Sequence, residues 1–112
     1  MKRGDVVLSV LQGDLGKPRP AVVVQADELG TDRLTVVICP ITSHLDDTPA
    51  FRPVIAPSSL NGLRERSMVM TDKVVAVRRE RLRAVIGVLE SENVRKVDQA
   101  LFFVLGLGRI PG

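Results

Sequence analysis

The chain of 112 residues contains no tryptophan, no tyrosine and only three phenylalanines, so aromatic platforms on which nucleic-acid bases stack are nearly excluded. A single cysteine, Cys39, rules out an intrachain disulfide framework, and one cysteine with one histidine cannot build a Cys/His zinc site. Long apolar runs are missing as well. Stretches such as "LTVVICPI" fall far short of the ~20 residues needed to cross a bilayer. The opening "MKRGDVVLSV" has basic residues, then an acid and a short alternating apolar run, with no signal-peptide hydrophobic region; a cytoplasmic location is expected.

What is present suits one domain spanning residues 1–112. The chain is 45% apolar, enough for a single core at this length. Short runs rich in valine and isoleucine recur between Gly, Pro, Asp, Ser and Asn: "DVVLSV" (5–10), "AVVVQA" (21–26), "RLTVVICPI" (33–41), "FRPVIA" (51–56), "SMVMTDKVVAV" (67–77) and "AVIGVL" (84–89). Runs this close, without helical periodicity, describe a mainly β small barrel. "QADELGTDRL" reads as a hairpin connection with Gly30 at positive φ, and "VRRERLRA" as one helical turn between strands. Cys39 falls inside an apolar strand pattern and reads as a small core residue.

Only the C-terminal part changes period. Val94, Val97, Leu101, Val104 and Leu105 fall at helical spacing, which predicts one amphipathic helix over about 92–105, with Ser91 as N-cap and "GLGRIPG" as its end. Phe102 and Phe103 lie about 100° apart on that helix. One core cannot take both equally, so either a second copy covers one of them or one stays partly exposed.

Charge is unevenly placed. Residues 1–56 carry six basic and seven acidic side chains, whereas 57–112 carry ten and six, which makes an anionic partner a reasonable expectation. Seven of those bases lie in "RERSMVMTDKVVAVRRERLR" (64–83). The other feature is "GKPRPAVVVQAD" (16–27). Pro18 and Pro20 restrict Lys17 and Arg19 as well as themselves, so Arg19 is held rather than mobile. Read by themselves, these bases also suit solvated charges before a strand, Thr42-Ser43 an ordinary turn, and Asp72 a turn between two short strands.

Taken together, "RGDVVL" (3–8), "KPRPAVVV" (17–24), "VVICPITS" (36–43), "SMVMTDKV" (67–74) and "RERLRAVIGVL" (79–89), in this order and spacing, resemble the MazF/PemK family of toxin endoribonucleases. The resemblance runs from residue 3 to about 107. It implies an SH3-like barrel with a C-terminal helix, a homodimer, metal-independent cleavage of single-stranded RNA at short motifs, no cofactor, and a cognate antitoxin as partner. By the same resemblance Arg19 matches the arginine of the "RP" motif and Thr42 the threonine of "P-x-T-S/T". Asp72 matches the acid of "D-Q", proposed in some members as general base. Here Lys73 replaces the glutamine, and Met70 stands where some members place a second arginine. Lys17, Ser43, His44 and Lys73 are the expected RNA contacts, with Arg64, Arg66, Arg78, Arg79, Arg81 and Arg83 as further candidates along the backbone. The loop "HLDDTPAFRP" (44–53) is the expected seat of sequence preference.

The chemistry agrees with that assignment. Cleaving RNA through its own 2′-hydroxyl needs a proton acceptor, a cation or donor at the phosphorane, and an acid for the 5′ oxygen. It needs no metal and no covalent residue. The rival is a non-catalytic toxin on the same fold that binds a protein target such as gyrase; an RNA-binding barrel without cleavage is disfavoured by the shortage of aromatics.

Overall fold

A computed structural model describes residues 1–11, 15–47 and 50–108. Seven strands precede one helix: β1 (Asp5–Ser9), β2 (Arg19–Val23), β3 (Thr35–Thr42), β4 (Val54–Ile55), β5 (Ser67–Val69), β6 (Val75–Arg78), β7 (Leu82–Val88) and α1 (Ser91–Val104). The pairs are all antiparallel, in the order β4-β5-β3-β2-β1-β7, with β6 also on β3. β3 is long enough to hold two partners on one edge. Its residues 35–38 pair with β6 and its residues 41–42 with β5.

The apolar run 67–77 is thus two strands. A 3₁₀ turn at Thr71–Lys73 breaks it, with Thr71 buried and its hydroxyl donating to the Phe51 carbonyl. "FRPVIA" shrinks to a two-residue strand. The connection after β2 behaves as expected, with Gly30 at φ +83° after a turn at Asp27–Leu29, and "VRRERLRA" holds its helical turn at Arg79–Arg81.

Both sheet faces are covered, which is why the strands read as near-continuous Val/Ile runs and not as strict alternation. On one face Val6, Val22, Cys39, Ile41, Ile55 and Val69 pack with Val97 and Leu101 of α1. On the other, Val7, Ala21, Val23, Val36, Ile38 and Val77 form a second cluster. Burial pushes the Cys39 thiol up to about 12.

The sheet curls into a half-barrel, and β4 and β7 at its two ends are not paired with each other among the described residues. The segment 58–63 covers β7 instead. The Val88 N–H donates to the Leu60 carbonyl at 2.9 Å, and a Cβ at Gly87 would come within 2.4 Å of the Asn61 backbone. Gly62 answers from the other side: its φ is +72°, and a Cβ there would meet the Ile86 carbonyl at 2.2 Å. Only glycine fits this crossing.

α1 begins one residue before the expected start, so Ser91 is its first helical residue and Glu90 its N-cap. Glu90 prevails because its carbonyl accepts the Asn93 and Val94 N–H groups, while its carboxylate, at the positive end of the helix, accepts from Ser58 Oγ, Asn61 Nδ2 and Asn93 Nδ2 at 2.5, 3.1 and 3.0 Å. At the other end Gly106, with φ +66°, places the Leu107 N–H on the Phe102 carbonyl and its own N–H on that of Phe103, both at 3.1 Å. Residues 109–112 of the expected stop lie outside the described residues. Phe102 and Phe103 are both exposed, at 56% and 52%, beside exposed Leu105 and Leu107.

Candidate active site

β2 starts at Arg19 because Pro18 and Pro20 favour extended backbone there. Ladder pairing with β3 runs Ala21↔Pro40, Val22↔Cys39, Val23↔Ile38. Extending that register by two residues sets Arg19 opposite Thr42. Pro20 and Pro40 donate no backbone hydrogen bonds, so the pair is free to part there, and the strand ends open into a cleft.

The cleft has a volume of about 820 Å³. Arg19 lines it from the start of β2, Thr42, Ser43 and His44 from the end of β3, Arg64 and Glu65 from the segment before β5, and Lys73 from the turn after it. Thr42 is half-buried, and its Oγ1 accepts the His44 N–H at 3.1 Å, which leaves the hydroxyl proton to donate. Arg19, Arg64 and Lys73 make the lining cationic. Glu65 is its one carboxylate among the described residues.

Two expected site residues lie elsewhere. Lys17 is exposed before Pro18 and does not line the cleft. Asp72, expected as a proton acceptor, is gripped by Arg52: Nε and Nη2 donate to Oδ1 and Oδ2 at 2.8 Å each. The Arg52 hydrogen bonds hold the Asp72 carboxyl below the usual range, and the nearby charges of Arg52 and Lys73 act in the same direction. A carboxylate so engaged is a poor base. Lys73, its neighbour, does face the cleft.

The basic stretch 64–83 is dispersed rather than a continuous track. Arg64 lines the cleft, but Arg66 lines a separate groove between β4 and α1. Arg78 pairs with Glu80 at 2.8 Å, Arg79 donates to the Arg33 carbonyl at 2.9 Å, and Arg81 to that of Val10 at 3.4 Å. Arg83 is exposed.

Glu65 and Arg52 were not foreseen from the sequence. Glu65 hides between Arg64 and Arg66 in what reads as a run of cations. Arg52 meets a partner 20 residues away, for which no local pattern exists. No three His, Cys, Asp or Glu side chains among the described residues are grouped as a metal site would require.

Comparison with known proteins places both the sequence and the fold. Residues 2–105 match the family model described as PemK-like, MazF-like toxin of type II toxin-antitoxin system. A probable endoribonuclease MazF of Mycolicibacterium smegmatis is 34% identical over 108 residues, covering 96% of this chain and 98% of that protein. The fold matches a mycobacterial endoribonuclease solved with its cognate antitoxin, with TM-score 0.82, 21% identity, and 98% and 99% of the two chains covered. It also matches MazF from Deinococcus radiodurans, with TM-score 0.78, 20% identity, and 96% and 97% covered. With nearly its whole length inside the family model, the chain belongs to the PemK-like, MazF-like toxins of type II toxin-antitoxin systems.

Proposed function

We propose that this chain is a sequence-selective endoribonuclease that cuts single-stranded RNA through the RNA's own 2′-hydroxyl, needs neither metal nor cofactor, and is held inactive by a cognate antitoxin. The observation that carries the reading is the cleft itself, which gathers Arg19, Thr42, Ser43, His44, Arg64, Glu65 and Lys73 at the open ends of β2 and β3.

Each group has a role in such a reaction. The Arg19 guanidinium is permanently charged and donates two parallel hydrogen bonds, the geometry that a phosphorane's equatorial oxygens require. Its proline-flanked backbone lowers the entropy lost on engagement. The Thr42 hydroxyl donates to the same phosphate or orients the 2′-hydroxyl. Glu65 brings the one carboxylate and His44 the one imidazole among the described residues of the cleft, so uptake from the 2′-hydroxyl and delivery to the 5′ oxygen are assigned to this pair. Asp72 has no proton-transfer step in this scheme. Lys73, Ser43 and Arg64 bind the flanking backbone, and Lys17 reaches it from outside the cleft.

The products are a 2′,3′-cyclic phosphate and a 5′-hydroxyl, because the attacking oxygen belongs to the substrate. DNA has no such oxygen. The exposed group Phe102, Phe103, Leu105 and Leu107 at the end of α1 supports a homodimer. No helix among the described residues is long and apolar enough to cross a membrane, and the reading places the enzyme's work in the cytoplasm, where messenger RNA is translated. The test is incubation with long single-stranded RNA and matching DNA in excess EDTA. Cutting of the RNA at a few recurrent positions, with the DNA intact, is expected; activity abolished by the chelator, or equal cutting of DNA, would overturn the reading.

A further inference from the structure

Residues 43–47 and 50–52 lead from the end of β3 towards β4 and carry Ser43 and His44 into the cleft. Several contacts fasten this loop. The His44 N–H donates to Thr42 Oγ1, the Asp46 N–H to Met68 Sδ at 3.3 Å, and the Thr71 hydroxyl to the Phe51 carbonyl. The strongest is a shared ion pair. Arg52 places two nitrogens on the two oxygens of Asp72 at 2.8 Å, and its third, Nη1, on Asp46 Oδ2 at 3.2 Å.

One guanidinium therefore closes the loop on itself between positions 46 and 52 and fixes it to the turn that supplies Lys73. Its side chain is only 15% exposed. A bidentate fork fixes both the position and the rotation of what it holds, unlike a single exposed contact. Lysine at position 52 could supply the charge but not that geometry.

We propose that Asp72 is a positioning residue: through Arg52 it sets the conformation of the loop that carries Ser43 and His44, and so determines which nucleotides fit beside the scissile phosphate. The proposal rests on the endoribonuclease reading for its substrate, but the clamp itself can be observed without RNA.

The experiment compares wild type, Asp72→Asn, Arg52→Lys and the double variant by steady-state cleavage of a randomised single-stranded RNA pool, by pH–rate profile, and by hydrogen–deuterium exchange of the free protein. The clamp requires KM at the preferred sequence to rise about tenfold while kcat stays within about threefold, with selectivity broadened and both limbs of the pH profile kept. The double variant should be no worse than either single one, since each breaks the same contact. Exchange in residues 44–47 and 50–52 should quicken about tenfold in all three variants. A fall in kcat of about 10² or more for Asp72→Asn alone, with KM unchanged, one pH limb lost and Arg52→Lys like wild type, would overturn the proposal and return Asp72 to proton transfer. Unchanged loop exchange would overturn it too. If Asp72→Asn does not fold, Arg52→Lys carries the same readouts, and if wild type cuts no RNA, the exchange data still decide the clamp while the functional reading fails separately.

Discussion

Arg19 enters β2 two residues before Ala21, and Thr42 ends β3 two residues after Pro40, the ladder partner of Ala21, so the guanidinium and the hydroxyl come to one cleft from facing strand ends. Arg19 is exposed and Thr42 half-buried, and neither belongs to a core cluster, so the fold survives their removal. Arg19→Ala should lower the RNA cleavage rate by about 10² or more, by comparison with deletion of an oxyanion donor, and Thr42→Ala should lower it less. Both variants should still unfold in one cooperative transition on heating. Activity unchanged in a folded Arg19→Ala variant would remove Arg19 from the reaction.

Glu65→Gln and His44→Gln test the proton-transfer pair. Each keeps much of the side chain's shape and its hydrogen bonding while removing its exchangeable charge, so kcat should fall by about 10² to 10⁴ with RNA binding retained. Loss of affinity in step with rate would instead mark a binding role.

Gly87→Ala tests the closure of the half-barrel. The added methyl would meet Asn61 backbone atoms at 2.4 and 2.5 Å and the Leu60 carbonyl at 2.5 Å, so segment 58–63 must lift from β7. A loss of about 2 kcal/mol or more is expected from urea unfolding. Since that segment runs on into Arg64 and Glu65, cleavage should weaken in the molecules that remain folded.

Glu90 ties the same segment to α1, and its stabilisation has a definite pH window. The Ser58 hydroxyl, with Asn61 and Asn93, holds its carboxyl at about 2, below the ordinary 4.5. A group whose folded pKa is depressed stabilises fully above its unfolded value, and that contribution is lost as pH falls from about 4.5 towards about 2. Glu90→Gln should cost about 1–3 kcal/mol at neutral pH, and the gap to wild type should close in acid. A gap that is constant from pH 7 to 2.5 would remove the carboxylate from the account.

The sequence shows some of this architecture and conceals the rest for physical reasons. The strands were legible because a sheet covered on both faces needs Val/Ile runs, and α1 because Val97 and Leu101 keep the helical period. Ser91 was a sound N-cap by residue preference, yet Glu90 took the position through contacts with Ser58 and Asn61 about 30 residues away, which no local rule contains. The break at Thr71–Lys73 goes with a part-buried bond from Thr71 to the Phe51 carbonyl, 20 residues away. Arg19 and Thr42 were legible through family resemblance, and the β2–β3 register gives the physical reason that they meet. Asp72 was visible as a residue; its engagement by Arg52 was not, because that partner arrives on a loop.

The central claim, that the substrate supplies its own nucleophile, is tested most directly with a synthetic RNA carrying one preferred cleavage sequence, compared with the same strand in which only the nucleotide on the 5′ side of the scissile phosphate is 2′-deoxy. Product termini are read by mass spectrometry in excess EDTA. The account predicts that the all-RNA strand yields a 2′,3′-cyclic phosphate and a 5′-hydroxyl, and that the single deoxy substitution abolishes cutting at that position while binding persists. Cleavage of the deoxy linkage, or a 5′-phosphate on the downstream product, would contradict it.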